Sequence, residues 1–179
     1  METIAERKKR ENIGEYILYM YQIEDLIRAY NFDMEAIQKH IVDKYPIKEI
    51  EKEEVSIWYN NFAKEMQEAG IAHSGHLPQL QQLVNGLAKL HWQLLKEDKS
   101  YFEIYQEAKP HVVDHVMSAK GKDIGHEIQI CLNGLYGLLL CRLHGQMVEE
   151  ELLESAEKFG RVLAYLNHFY QKKDNTTDL

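Results

Sequence analysis

Residues 124–143 read IGHEIQICLNGLYGLLLCRL, and over most of this stretch a helix would be apolar on almost every side. A helix that lacks a polar face is usually buried among its neighbours. Asp123 precedes the stretch and is suited to cap its first turn. The longest uninterrupted apolar run, Leu135 to Cys141, is far shorter than the roughly 20 residues that a membrane span needs. The stretch therefore predicts a buried central helix near 124–143.

On both sides of this stretch, apolar residues recur at helical spacing, three or four residues apart. The pattern predicts six further helices, of which the first runs from about Thr3 to Tyr30. No segment alternates with the period of two that is typical of strands. We therefore predict an all-α fold, a single-domain bundle of about seven helices. Residues 1–171 form this domain, and residues 172–179, the polar sequence KKDNTTDL, form a flexible C-terminal tail.

Two of the predicted helices have features that the structure can test directly. The third helix runs from about Lys48 to Gly70. Its side chains expected to face inward are Val55, Trp58, Phe62, Met66 and Ala69. The fifth helix contains Pro110, which has no backbone N–H to donate. We expect a kink near Pro110 or a break into two short helices.

The composition excludes several classes of protein. The formal net charge is −8, which argues against a nucleic-acid surface, because phosphate binding depends on clustered Lys and Arg. The first 20 residues are charged and lack the apolar core of a cleavable signal. Cys131 and Cys141 lie ten residues apart on one predicted helix, about 15 Å, which is too far for a disulfide. We therefore predict a cytoplasmic protein without a membrane segment.

The clearest pattern for metal chemistry is His111-Val-Val-Asp114-His115. Two histidines four residues apart share one helix face and can reach the same metal ion, as in HExxH zinc sites. The order is closer to the inverted HxxEH arrangement, with Asp in place of Glu. Such a site needs a third protein ligand. The open alternatives are Glu127, His126, His91 and His144. The competing interpretation, that both histidines border the core, is favoured, and no metal or cofactor is predicted.

Three other histidines lie in distinctive places. His91 follows Leu87 by one turn on the apolar face of the fourth helix. It is expected to be a buried histidine with one hydrogen-bond partner rather than a catalytic base. His73 and His76 flank Ser74 in a loop, a combination that hydrolases use, but no acidic residue that would orient a histidine can be named.

Two glycines inside predicted helices belong to a possible internal repeat. The segment 80–90 aligns with 128–138 at a shift of 48 residues, so that Gly86 corresponds to Gly134. The similarity is that of a duplicated helical hairpin, or of two leucine-rich helices that match by chance. Glycine within a helix costs about 1 kcal/mol relative to alanine. We expect each glycine to allow the close approach of another backbone.

The last predicted helix contains an arginine and a histidine at a spacing known from one class of enzyme. Arg161 and His168 are separated by six residues, a spacing that occurs in HEPN-type helical ribonucleases, where the two side chains line a dimer cleft. Val162 departs from the polar residue that is common after the arginine. The pattern gives Arg161 and His168 as candidate catalytic residues of a ribonuclease-type alternative.

The first predicted helix is rich in tyrosine. Tyr16, Tyr19 and Tyr21 lie close together on it, and the last two point away from the apolar stripe of that helix. Exposed tyrosine is enriched at protein interfaces. We therefore predict that these three tyrosines form an interface through which the protein binds a second copy or another protein.

Two segments resemble a known bacterial family. They are IAERKKRENIGEYILYMYQIEDLIRAY, residues 4–30, and SGHLPQLQQLVNGLAKLHWQLL, residues 74–95. The family is catalogued only as a domain of unknown function, and the resemblance spans most of the chain. It implies a helical, cytoplasmic protein and no particular activity, cofactor or functional residue.

Two functions from different classes follow. The favoured one is a non-enzymatic helical interaction module that self-associates or binds another protein. The alternative is a helical enzyme, either metal-dependent at His111 and His115 or similar to HEPN ribonucleases at Arg161 and His168. The first is preferred because each candidate catalytic set lacks a required member.

Overall fold

The computed structural model describes residues 4–177, with side chains described through Lys172. Within this range the chain forms eight α-helices and no strand, which confirms the all-α prediction. The elements are α1 (Ile4–Glu11), α2 (Ile13–Ala29), α3 (Met34–His40), a 3₁₀ helix (Val42–Lys44), α4 (Glu49–Glu68), α5 (Pro78–Glu97), α6 (Lys99–Ser118), α7 (Glu127–Leu143) and α8 (Glu150–Thr177). Among the described helices, none combines the length and apolarity that crossing a membrane requires.

The eighth helix arises because the predicted first helix is divided at Asn12. The Asn12 side-chain oxygen accepts a hydrogen bond from the Glu15 N–H at 3.1 Å and so caps α2. The N–H of Ile13 donates to the side-chain oxygen of Asn167 on α8 at 3.0 Å. The apolar stripe continues across this point, so periodicity alone could not reveal the division. Thr3, where the predicted first helix begins, lies outside the described residues.

The chain divides into two compact units, and the division falls within α2 and within α5. One unit is the continuous segment Tyr19–Gln81, which contains α3, the 3₁₀ helix and α4. Its core includes Ile27 of α2, Ile37 of α3 and Met66 of α4, each at most 1% exposed.

The inward face of α4 differs in part from the prediction. Phe62 and Met66 are buried as expected, but Ala69 is exposed and Trp58 is only half-buried. Tyr59 takes the inward position next to Trp58 and is 2% exposed. The Trp58 ring stacks on Phe62 with the centroids 5.4 Å apart, so the larger ring covers the edge of the core rather than filling it.

Within the described residues, the other unit consists of 4–18 and 82–177 and is organised around α8. Both α6 and α7 pack against α8. The helices α6 and α8 are antiparallel, since the Tyr165 hydroxyl donates to Asp98, just before α6, at 2.9 Å, and Arg161 pairs with Glu107 further along. The predicted tail 172–179 overlaps the end of α8 at Thr177. Residues 178 and 179 lie outside the described residues, so the flexibility of the tail and the domain boundary at 171 stay predictions.

The helix predicted near 124–143 is confirmed as α7, although α8 rather than α7 is the helix on which its unit is organised. Its buried part is the first half, where Ile128, Cys131 and Leu132 are fully buried, whereas Leu143 is 63% exposed. The predicted cap is wrong. The ring Nδ1 of His126, rather than Asp123, caps the helix by accepting from the Gln129 N–H at 3.2 Å.

Helix α6 continues through Pro110 without a break, so the alternative of two short helices is wrong. The proline side chain is exposed, and the missing N–H leaves one carbonyl of the preceding turn without its helical donor. The alternative of a kink within one helix stays a prediction. The continuity of α6 matters below, because it places residues 102–117 on one uninterrupted helix.

Candidate functional site

An open cavity of about 220 Å³ lies between the second half of α6 and the start of α8. It is lined by His111, Asp114, His115, Ser118, Glu149, Glu151, Leu152 and Ser155. All three residues of the predicted metal pattern, His111, Asp114 and His115, therefore border one cavity. Glu149 and Glu151 were not assigned to a site from the sequence.

The two histidines of this cavity both contact the core residue Phe159. The ring of His115 meets that of Phe159 edge to face with the centroids 5.4 Å apart, and the ring of His111 does so at 6.4 Å. The His115 Nδ1 is 2.9 Å from the His111 carbonyl oxygen. Because a carbonyl only accepts, this nitrogen carries the proton and is not available to a metal.

The cavity lining is rich in acceptors and carries negative charge. Asp114, Glu149 and Glu151 contribute carboxylates, and the Ser155 hydroxyl is already used in donating to the carbonyls of Glu151 and Leu152 at 2.9 and 3.2 Å. Nevertheless, no three His, Cys, Asp or Glu side chains in the described part of the chain come close enough together to hold a metal ion.

The residues considered as a third ligand lie elsewhere. His126 caps α7, and its Nε2 is 3.3 Å from the Asn85 side-chain oxygen. The Trp92 indole N–H donates to Glu127 at 3.4 Å. Neither these residues nor His91 and His144 line the cavity.

Arg161, the first of the two ribonuclease-type candidates, has a structural partner. Its Nη1 lies 2.5 Å from Glu107 on α6, and Lys158 lies 3.2 Å from the same carboxylate oxygen. Hydrogen bonds from Lys158 and Arg161 lower the pKa of Glu107. His168 is exposed, and its ring lies edge to face against Phe169 at 5.7 Å. The ribonuclease alternative stays a prediction.

The tyrosines predicted to form an interface differ in exposure. Tyr21 is 1% exposed and stacks on His76 with the ring centroids 3.6 Å apart, so the expectation that it is exposed is wrong. Tyr19 is half-buried, and burial, together with Tyr45, raises its pKa to about 12. Tyr16 is half-buried, with the Lys9 ammonium 5.8 Å from its ring centroid. Tyr21 is buried because the loop before α5 covers that side of α2.

That loop is attached to α2 by a buried carboxylate. Glu24 is 0% exposed, and its carboxylate lies 2.6 Å from the His76 Nδ1 and accepts from the Leu77 N–H at 2.8 Å. Arg28, one turn further along α2, donates to the Ile71 carbonyl at 3.2 Å and to the Gly75 carbonyl at 2.5 Å. The acidic partner of His76, which the sequence did not identify, is therefore Glu24.

His91 is the buried histidine with one hydrogen-bond partner that the sequence predicts. It is 0% exposed, and its Nδ1 lies 2.6 Å from the Tyr101 hydroxyl. Its Nε2 has no hydrogen-bond partner within the described residues, and the Tyr105 ring lies edge to face at 4.6 Å. Burial lowers the pKa of His91 from 6.5 to about 4.

We expect His91 to make the fold acid-sensitive. Because its pKa is lower in the folded chain, the unfolded chain binds the proton more tightly, and stability is lost as the pH falls from 6.5 toward 4. Between pH 7 and pH 5 this residue should account for a loss of about 2 kcal/mol. Urea unfolding at both pH values would show a smaller pH-dependent loss for His91→Gln than for the wild type. An unchanged loss would contradict the assignment.

Comparison with known proteins adds the family but no activity. No curated protein and no solved structure shows significant similarity to the chain. Residues 2–177 match a family described as a domain of unknown function, DUF4924. Since the match spans nearly the whole chain, the protein belongs to the DUF4924 family.

Proposed function

We propose that this protein is a non-enzymatic helical interaction module whose binding surface is an exposed apolar face of α6. This surface, termed the α6 apolar stripe, consists of Phe102, Val113, Val116 and Met117. Its exposure is the observation that carries the proposal: the four side chains are 45%, 48%, 48% and 73% exposed, respectively.

The four residues share one side of a single helix. At 3.6 residues per turn they fall within an arc of about 100°. The core-facing side of α6 carries Tyr101, Tyr105, Ala108 and Val112. The side toward α8 carries Glu107 and the histidines of the cavity. The stripe is therefore a third face, which no described part of the chain covers.

An apolar face of this kind is typical of a contact surface. Single exposed apolar residues are common on soluble proteins, but neighbouring ones at helical spacing, here Val113, Val116 and Met117, mark sites where another surface packs. Burying such side chains contributes roughly 25 cal/mol per Å² of apolar area. The stripe takes the place of the α2 tyrosines as the principal candidate interface, because Tyr21 is buried within its own unit.

The contact of one candidate catalytic residue supports a non-enzymatic role, because Arg161 is bound to Glu107 on α6. We also propose a bacterial origin, in line with the resemblance, and a cytoplasmic location. Cys131 and Cys141 are both free thiols, which is typical of proteins from reducing compartments.

Site-specific photo-crosslinking tests this function. A benzoylphenylalanine placed at Val113 should give a discrete covalent adduct when cells that naturally make the protein are irradiated. The matched control places the same residue at Ile57 on α4, which is 61% exposed and lies outside the stripe. We expect an adduct from position 113 and none from position 57. Absence of an adduct at 113, or equal adducts at both positions, would contradict the proposal.

A further inference from the structure

We infer that His76 is a nucleophilic histidine, a site of covalent acylation at its Nε2 by activated, uncharged acyl compounds. The sequence places His76 in a loop beside Ser74 but names no acidic residue that would orient its ring. The structure supplies that residue, Glu24, within the compact unit 19–81. The inference goes beyond the proposed function and does not depend on the α6 apolar stripe.

The contact with Glu24 determines which ring nitrogen of His76 carries the proton. The His76 Nδ1 lies 2.6 Å from the Glu24 Oε2, while the Oε1 accepts from the Leu77 N–H at 2.8 Å. Because an ionised carboxylate only accepts, the Nδ1 is the donor and the Nε2 keeps its lone pair. The Nε2 is therefore the nucleophilic atom of this ring.

The ring of His76 is held in one orientation. It stacks on the Tyr21 ring with the centroids 3.6 Å apart and an angle of 16° between the ring planes. Arg28 holds the loop that carries the ring by donating to the carbonyls of Ile71 and Gly75. A nucleophile that is fixed in this way reacts without first having to be ordered.

The Nε2 of His76 is open to solvent. The His76 side chain is 28% exposed, although the Glu24 side chain behind it is 0% exposed. Among the described side chains, the buried nitrogen or oxygen that lacks a hydrogen-bond partner is the Nε2 of His91. The Nε2 of His76 has no hydrogen bond within the same residues and is therefore not buried.

The other histidines of the chain lack this combination. His91 is fully buried, and His126 uses both of its ring nitrogens. The Nδ1 of His115 is bound to a neutral carbonyl rather than to a carboxylate. Five more have no carboxylate partner in the described part of the chain: His40, His73, His111, His144 and His168. We therefore expect the reactivity to be specific to His76.

The charges around His76 favour uncharged electrophiles. Glu24 places a buried negative charge against the ring. The positive charge of Arg28 is offset by Asp25, whose carboxylate lies 2.9 Å from its guanidinium. Anionic electrophiles such as acyl phosphates are therefore repelled. An uncharged acyl compound with a good leaving group, such as an aryl ester or a pyrocarbonate, is not.

Acylation begins with attack of the Nε2 lone pair on the acyl carbon. A C–N bond forms as the bond from that carbon to the leaving oxygen breaks, and the leaving group departs with the electron pair. The ring then carries a positive charge, which the Glu24 carboxylate stabilises through the Nδ1 proton. Loss of that proton to water gives a neutral acylimidazole, which water later hydrolyses to the free acid and His76.

Partial modification with diethyl pyrocarbonate, followed by peptide mass spectrometry, tests the inference. All nine histidines compete in one reaction and serve as references for each other. We expect His76 to react several-fold faster than His73, although His73 is the more exposed histidine of the same loop. A His76 that reacts no faster than His73 and His168 would overturn the inference.

The variant Glu24→Gln separates the effect of the charge from a merely structural role. The amide retains an acceptor beside the Nδ1 but has no negative charge, so the rate at His76 should fall several-fold while the rate at His168 stays unchanged. If Glu24 only held the loop, release of the ring from Tyr21 would expose it further and raise the rate. A rate at His76 that is unchanged or higher would therefore contradict the assignment.

A matched control removes a different carboxylate. Glu53→Gln changes an exposed glutamate on α4 and should leave the rate at His76 unchanged. Circular dichroism establishes that each variant is folded. A fall in rate as large as that of Glu24→Gln would show that net charge, rather than the contact with Glu24, controls the reaction.

Reaction with p-nitrophenyl acetate extends the test to a simple ester. His76→Ala should lose most of the nitrophenolate release that the wild type shows, whereas His73→Ala should retain it. Equal release from the two variants would show that acylation is not concentrated at His76. The crosslinking result at position 113 has no bearing on these outcomes, so the two proposals can fail separately.

Discussion

Replacing Glu24 by alanine is expected to lower the free energy of unfolding by about 3 kcal/mol, because it removes a buried acceptor that holds two partners. The Glu24 carboxylate is inaccessible to solvent and holds both the Leu77 N–H and the His76 ring. Without it, the buried N–H loses its acceptor, which is a cost that water cannot offset. Urea unfolding at neutral pH measures the loss.

Two further variants make this result interpretable. Glu24→Gln retains an oxygen that can accept from Leu77 but removes the charge beside His76, so its loss should be smaller than that of Glu24→Ala. Glu53→Ala changes an exposed glutamate on α4 and should alter stability by less than about 0.5 kcal/mol. A Glu24→Ala variant as stable as Glu53→Ala would show that the carboxylate does not hold the loop.

Replacing Gly134 by alanine is expected to destabilise the protein by about 2 kcal/mol, even though alanine is the better helix former. A Cβ at this position would lie 2.7 and 2.8 Å from two ring carbons of Phe159. Phe159 is 0% exposed and contacts the rings of His111 and His115, so its ring has little room to move. Thermal and urea unfolding would both report the loss.

A matched control for Gly134 lies three residues further along the same helix. A Cβ at Gly137 would meet nothing within 4 Å, so Gly137→Ala should stabilise the protein by up to about 1 kcal/mol. Combining Gly134→Ala with Phe159→Leu should lower the free energy of unfolding by less than the sum of the two single changes, because the smaller leucine side chain leaves room for the alanine Cβ. Additive losses would contradict the steric explanation.

The helices were predictable because their signals are local. Apolar spacing identified α5, α7 and α8 within a few residues, since each helix must turn one face toward a core. The residues that cap the helices were harder to predict from the sequence. Asp123 is the better cap by residue type, yet Gly125 at φ +81° separates it from the helix, and His126 takes its role. The backbone of a loop is set by its surroundings, which sequence periodicity does not report.

The candidate site was predictable only in part, for a related reason. The i, i+4 spacing correctly placed His111 and His115 on one face of a helix. Glu149 and Glu151 join them because α8 is antiparallel to α6, a relation between segments about 35 residues apart. The partner of His76 was missed in the same way. Glu24 lies about 50 residues before His76 and directly follows Ile23. Nothing in the sequence distinguishes it from a glutamate on the protein surface.

The two aligned glycines show the limit of pattern matching most clearly. Gly86 and Gly134 occupy equivalent positions in the aligned segments, but a Cβ at Gly86 would meet nothing within 4 Å. At Gly134 the close neighbour is the ring of Phe159 rather than a backbone, so the expected close approach of another main chain is wrong at both positions. Glycines at equivalent positions of two similar helices can thus have different space around them.

The division at Asn12 has a consequence for the order in which the chain matures on the ribosome. The N–H of Ile13 binds Asn167, and the Gln171 side chain donates to the carbonyls of Arg10 and Glu11. The end of α1 and the start of α2 are therefore secured by residues that are synthesised more than 150 positions later. The segment 19–81 has all of its own contacts available soon after it leaves the exit tunnel, whereas α1 must wait until α8 has been translated. During that interval a nascent chain exposes α1 and the start of α2 to chaperones and proteases.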